Sequence, residues 1–110
     1  KLNKSCNSDD NLKAIKKIIN TNKLFGQWND IVVNANWTSN IKKGFFKLWV
    51  NGKLVYHFVG RTVAPKDQIT VQFGIYRGAA QLSGDATHVV YYDEIRKAKS
   101  CKKLKLEKFG

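Results

Sequence analysis

At 110 residues the chain has room for one domain and one core, because a domain of this size buries about two thirds of its extended surface on folding. Twenty Lys and Arg against eight Asp and Glu leave a formal net charge of +12. That field concentrates polyanions and repels polycations, so nucleic acid, acidic polysaccharide and anionic membrane surfaces qualify as partners. No apolar run is long enough to span a bilayer, which argues against a membrane-spanning helix.

In chain order, residues 8–20 read as a short amphipathic helix. Leu12, Ile15, Ile18 and Ile19 recur at helical spacing, Ser8 or Asp9 can cap the first amides, and acids followed by lysines suit the helix dipole. The stripe is short and has no aromatic residue, so it is expected to dock on the domain rather than lie on a membrane.

From Trp28 the period changes to two. In the first predicted strand, Ile31, Val33, Ala35 and Trp37 make the buried face, with Asp30, Val32, Asn34 and Asn36 on the other. Two further strands, residues 44–50 and 54–60, are joined by Asn51-Gly52, the strongest short hairpin signal. A loop over residues 61–67 holds the only proline, Pro65. Residues 69–76 and 87–96 alternate again, and the small-residue stretch 78–85 separates them. The predicted class is mainly β, an antiparallel β-sandwich in part, with one short N-terminal helix. A single domain over 1–110 is expected, with strands within 26–97 and a basic tail over 98–110.

Much of the charge sits in two Lys-rich stretches, residues 1–23 and 96–108. Solvated faces and frayed ends account for such runs as readily as binding does. Only Arg61, Arg77 and Arg96 carry guanidinium groups, a balance that suits diffuse attraction better than bidentate readout. Specific nucleic-acid recognition is not expected, because no RNP pair or other RNA-binding signature accompanies the charge.

Cys6 and Cys101 lie near opposite ends of the chain. Two free thiols in a reducing compartment are one reading. The other, adopted as the expectation because a small sheet benefits from tied ends, is a disulfide worth roughly 3 to 5 kcal/mol by chain entropy. Such a bridge implies an oxidising compartment, secreted or periplasmic. Two distant cysteines suggest no metal site.

Chemistry concentrates at Gln72-Phe73-Gly74-Ile75-Tyr76-Arg77. Alternation puts Gln72, Gly74 and Tyr76 on one face and Val71, Phe73 and Ile75 on the other. Together with Trp28-Asn29-Asp30-Ile31-Val32-Val33, with Trp49-Val50-Asn51-Gly52-Lys53, and with Tyr91-Tyr92-Asp93-Glu94-Ile95-Arg96, this segment resembles the C-terminal half of polysaccharide lyases of the heparinase I and glucuronan lyase type. Those enzymes have a concanavalin-like jelly roll, and the resemblance covers residues 26–97. A jelly roll needs about eight strands, and five are predicted here. The resemblance therefore implies a partial or truncated domain, a reduced relative, or one completed by a homo-oligomer or partner chain.

The resemblance implies β-elimination on an acidic, uronate-containing polysaccharide: a base removes the proton next to the sugar carboxylate, and the 4-linked oxygen then leaves. Tyr76 falls at the position of the acid-base Tyr. A free phenol, with an ordinary pKa of about 10, is a weak base and needs basic neighbours. Gln72 stands where many relatives carry Lys, and Gly78 where alginate lyases carry Gln, so Gln72 could steady a carboxylate by hydrogen bonding without supplying charge. Asn34, Asn36, Lys47 and Arg77 are candidates to line the substrate. Trp37 is the candidate stacking platform, whereas Trp28 and Trp49 fit the family's core pattern. Asn36-Trp37-Thr38 also fits the glycosylation sequon.

His57 and His88 match no motif position, and a lone strand histidine is more often a surface or packed residue. The family's catalytic histidine comes from the other half of the fold. No cofactor is expected, apart from a structural calcium to which the resemblance assigns Asp93. The alternative reading of the same face is a non-catalytic carbohydrate-binding module for acidic polysaccharides.

Overall fold

The structure, a computed structural model, describes residues 16–76 and 87–110. It divides into two compact units, one running to Gln68 and including Phe109, the other Ile69–Lys108 with Gly110. Mainly β architecture is observed, as the alternation predicts.

The first unit is built on a three-stranded antiparallel sheet in the order β1 (Ile31–Asn36), β2 (Phe45–Val50), β3 (Lys53–Val59). Its strands are rich in β-branched and aromatic residues, which fit a pleated surface. The hairpin between β2 and β3 turns on Asn51 at φ 50° and Gly52 at φ 80°. Both turn positions need positive φ, which Asn tolerates and Gly adopts without steric cost. Asn51 also ties this turn to the approach to β1. Its N–H donates to the Asp30 carbonyl at 2.8 Å, its Oδ1 accepts from the Asp30 N–H at 2.8 Å, and its Nδ2 donates to Asn29 Oδ1 at 3.0 Å.

At the other end of the sheet, Thr62 closes the loop after β3. Its hydroxyl donates to the Asn36 carbonyl at 2.7 Å and accepts from the Thr38 N–H at 2.8 Å. Between β1 and β2, the Gly44 N–H donates to the Asn40 carbonyl at 3.1 Å, and the Gly60 N–H donates to the Gly44 carbonyl at 2.9 Å. Gly44 is buried and so close to Gly60 that a Cβ would collide with the Gly60 carbonyl oxygen.

Pairing is Ile31 to Val50, Val33 to Leu48 and Ala35 to Phe46 on one face. Val32 to Trp49, Asn34 to Lys47 and Asn36 to Phe45 share the other. The β2–β3 register runs from Phe45 opposite Val59 to Leu48 opposite Tyr56, then jumps to Trp49 opposite Leu54. Val55 is the extra residue of a β-bulge.

Several expectations are corrected. Ile31 and Val33, read as buried, are 57% and 50% exposed, while Val32 and Asn34 on the opposite face are half-buried. The reason is Phe109, only 7% exposed, whose ring meets Trp49 edge-on at 5.1 Å and whose carbonyl accepts from Asn34 Nδ2 at 3.0 Å. The basic tail is thus not wholly a solvated end. Trp28 is exposed, unlike Trp49, because it precedes β1 and faces no second layer among the described residues.

Of the predicted helix, residues 8–15 lie outside the described residues, and 16–20 are not helical. Two β-branched isoleucines disfavour a helix here, and Asn20 is extended at φ −73°, ψ 130° before a single 3-10 turn, Thr21–Lys23. No helix among the described residues is long and apolar enough to cross a membrane.

In the second unit, residues 69–76 and 87–96 form no strand ladder among the described residues. Regular extension is broken by Gly74 at φ 138° and by Glu94 at φ 55°. The two segments nonetheless meet through Phe73 and Tyr92, whose rings are 5.3 Å apart. Beyond them a 3-10 turn, Lys102–Leu104, is closed by Lys105 in the left-handed region at φ 57°. Cys101 is half-buried; Cys6, and with it the expected disulfide, lies outside the described residues.

Gly44→Ala is expected to destabilise the protein by about 3 kcal/mol, the scale of overpacking a site that cannot yield. Urea denaturation measures it. Phe109→Ala, which removes one of three buried hydrophobic side chains among the described residues, should lower the urea midpoint by an amount equivalent to about 3 kcal/mol. Phe25→Ala, at an exposed ring, should change stability by less than about 0.5 kcal/mol.

Candidate functional site

One sheet face carries a polar row between two mainly apolar ones. The register sets Asn34, Lys47 and His57 side by side on β1, β2 and β3, and directly opposed residues of an antiparallel pair have Cβ atoms about 5 Å apart. Val32, Trp49 and Leu54 form the row on one side, with Asn36, Phe45 and Val59 on the other. The row thus offers a cation, an amide and an imidazole to one stretch of ligand.

Lys47 and Asn34 of this row, and Asn36 of the next, are held. Lys47 Nζ stands 5.7 Å from the Phe45 ring centroid, within cation–π range. Asn34 Nδ2 is fixed by the Phe109 carbonyl, as described above. Asn36 Nδ2 donates to the Lys43 carbonyl at 2.8 Å, which braces the loop into β2.

Trp37 continues the alternation of Ile31, Val33 and Ala35, so it projects to the opposite face from Asn34 and Asn36. Its ring contacts Phe46 at 5.8 Å, and Phe46 contacts Tyr56 at 6.2 Å. With 44% of its surface exposed, Trp37 can still stack on a sugar, but against a different sheet surface from the Lys47 row.

Tyr76 and Gln72 lie in the second unit, and both are exposed, Tyr76 to 99%. Arg77 lies outside the described residues. His88 is exposed in the same unit. The Asp93 carboxylate accepts from the Glu94 N–H at 2.9 Å, and Glu94 reaches Arg96 at 3.7 Å in an exposed ion pair. Calcium takes six to eight oxygen ligands, and no three His, Cys, Asp or Glu gather among the described residues.

Sequence reasoning missed the part His57 takes in the row. A regular two-residue hairpin would set Lys47 opposite Tyr56; the bulge at Val55 moves His57 into that place. Only the composition of the strand, not its alternation, hinted at a cationic face.

Comparison with known proteins supplies the assignment. The model of the polysaccharide lyase family matches residues 1–96. No curated protein and no solved structure matches the chain. A match over nearly the whole length, on a chain with an antiparallel β-sheet and a basic, amide-bearing sheet face, shows that the chain belongs to the polysaccharide lyase family.

Proposed function

We propose that the protein cleaves an acidic, uronate-containing polysaccharide by β-elimination, in the manner of the heparinase I and glucuronan lyase type. The observation that carries this reading is Tyr76, whose side chain stands in solvent and which the sequence resemblance aligns with the acid-base Tyr of those lyases. A phenol that must exchange a proton with a polymer has to be reachable, and this one is.

In the proposed reaction a base takes the proton from the carbon bearing the carboxylate. The electron pair forms the new carbon–carbon double bond as the bond to the 4-linked oxygen breaks, and that oxygen leaves with a proton. Tyr76 handles the proton. Gln72, four residues earlier, donates to the carboxylate as negative charge builds on it. Because an amide supplies no charge, the cationic contribution there falls to Arg77; on the sheet of the first unit, Lys47 beside Asn34 attracts the acidic polymer. Asn36 supports that face through the loop it braces, and Trp37 offers a stacking surface on the other. A secreted or periplasmic location suits a polymer of this kind. A Cys6–Cys101 bridge, a partner chain completing the sandwich and a partial domain belong to the same proposal.

Tyr76→Phe keeps the ring and removes only the hydroxyl. Turnover of a uronate polymer, followed by near-ultraviolet absorbance of the unsaturated product, should fall about 100-fold or more, with binding nearly unchanged. An equally active variant would remove Tyr76 from the mechanism. A parent that binds polymer yet never releases unsaturated product would make the chain a carbohydrate-binding module instead.

Affinity for uronate polymers should fall steeply as salt rises from 0.02 to 0.5 M, since exposed charges are screened over about 8 Å at physiological ionic strength. Titrations against a uronate polymer and neutral dextran at several salt concentrations measure it. Equal binding to dextran would contradict the acidic-glycan assignment.

A further inference from the structure

Where the chain approaches the sheet, residues 17–20 run past the hairpin turn and leave an open depression of about 610 Å³. Lys17, Lys23 and Lys53 stand around it, and Ile18, Ile19, Val50 and Val55 supply aliphatic surface. Among the described residues the rest of the lining is the amides Asn20, Gln27 and Asn51, with no carboxylate. Two of these amides are already committed, Gln27 Nε2 to the Lys23 carbonyl at 2.9 Å and Asn51 Nδ2 to Asn29. Among the described residues none of the three lysines is ion-paired.

Three ammonium groups around one hollow repel one another, and the described lining offers no counter-charge. An anion seated there relieves that repulsion. The aliphatic surface adds a second requirement, because a bare inorganic ion would leave it uncovered. A sugar ring with a carboxylate or sulfate meets both conditions: its C–H face lies on Ile18 and Val55, and its charged group meets the lysine ammonium groups. Ammonium groups act as point charges that accept an anion from many directions, which suits a polymer with variable substitution.

We propose that this depression is an accessory subsite for an acidic sugar unit. It lies on the other side of the sheet from Lys47, since Val50 and Lys53 pair across the face that carries Ile31 and Leu48. It therefore holds a separate stretch of polymer and contributes affinity rather than chemistry. The identity of the ligand rests on the proposed lyase reading; the existence of the subsite does not.

The test compares two triple variants of the full chain with equal charge. One is Lys17→Gln, Lys23→Gln and Lys53→Gln; the other is Lys42→Gln, Lys97→Gln and Lys99→Gln, all exposed and outside the depression. The probe is a sulfated uronate hexasaccharide at 0.15 M ionic strength. The first triple should bind about tenfold more weakly than the parent, and the second within about twofold. Equal losses in both would show an effect of net charge alone and overturn the subsite. In the parent, the hexasaccharide should shift the NMR signals of the Ile18 and Val55 methyl groups; unmoved methyls overturn the proposal without any variant needing to fold. Competition by phosphatidylserine vesicles but not by hexasaccharide would assign the hollow to a membrane surface and overturn it as well. A parent without turnover whose first triple alone loses affinity would sink the lyase reading and leave the subsite standing. Normal turnover with unaltered affinity in the first triple would do the reverse.

Discussion

Everything described in the first unit depends on how Asn51 is held. Its backbone sits in the left-handed region at φ 50°, and its side chain and N–H together make three hydrogen bonds to Asn29 and Asp30. One residue thereby fixes both the β2–β3 turn and the point at which β1 joins the sheet. Because side chains alternate with period two, a slip of one residue at either place would exchange the faces of a strand. Lys47 would then leave the row it shares with Asn34, and Val50 would leave the depression beside Lys53.

The bulge at Val55 adds a second constraint with a chemical result. Between the turn and the bulge, Lys53 and Leu54 keep the regular hairpin register; beyond it the pairing is displaced by one residue. Tyr56 consequently joins the aromatic contact with Phe46, while His57 comes beside Lys47. A single extra residue thus sends the Tyr56 ring and the His57 imidazole to opposite faces of one sheet. Bulges are known for re-aiming side chains beside functional sites, and here the re-aimed group is an imidazole.

The hairpin, the change of period at Trp28 and the amides of the polar face were legible because each depends on local chemistry: positive φ at Asn51-Gly52, or alternation within six residues. What covers each face was not. Alternation assigns Ile31 and Val33 to one side of β1 but cannot say which side is covered, and that is decided by Phe109, which is remote in sequence. The register of His57 was hidden for a similar reason, since nothing in Leu54-Val55-Tyr56 announces a bulge. Residues 69–76 and 87–96 have strand composition, yet pairing is a non-local event, and the backbone at Gly74 and Glu94 departs from extended geometry. At the candidate site, Tyr76 and Gln72 were readable from a motif, whereas the row of Asn34, Lys47 and His57 needed the sheet.

Phe109 links stability to the geometry of the polar row. Its ring fills the space against Trp49, a hydrophobic contact worth roughly 1.5 to 3 kcal/mol for a fully buried Phe, and its carbonyl holds one N–H of the Asn34 amide. An amide carries two N–H donors and one carbonyl oxygen, so fixing one N–H also fixes the plane in which the others lie. A ligand arriving beside Lys47 then meets an Asn34 whose rotamer is already chosen, and the cost of ordering that side chain, about 1 kcal/mol for an immobilised polar group, has been met on folding. The half-buried position of Asn34, unexpected for an amide on a strand read as its polar face, is the structural signature of that arrangement.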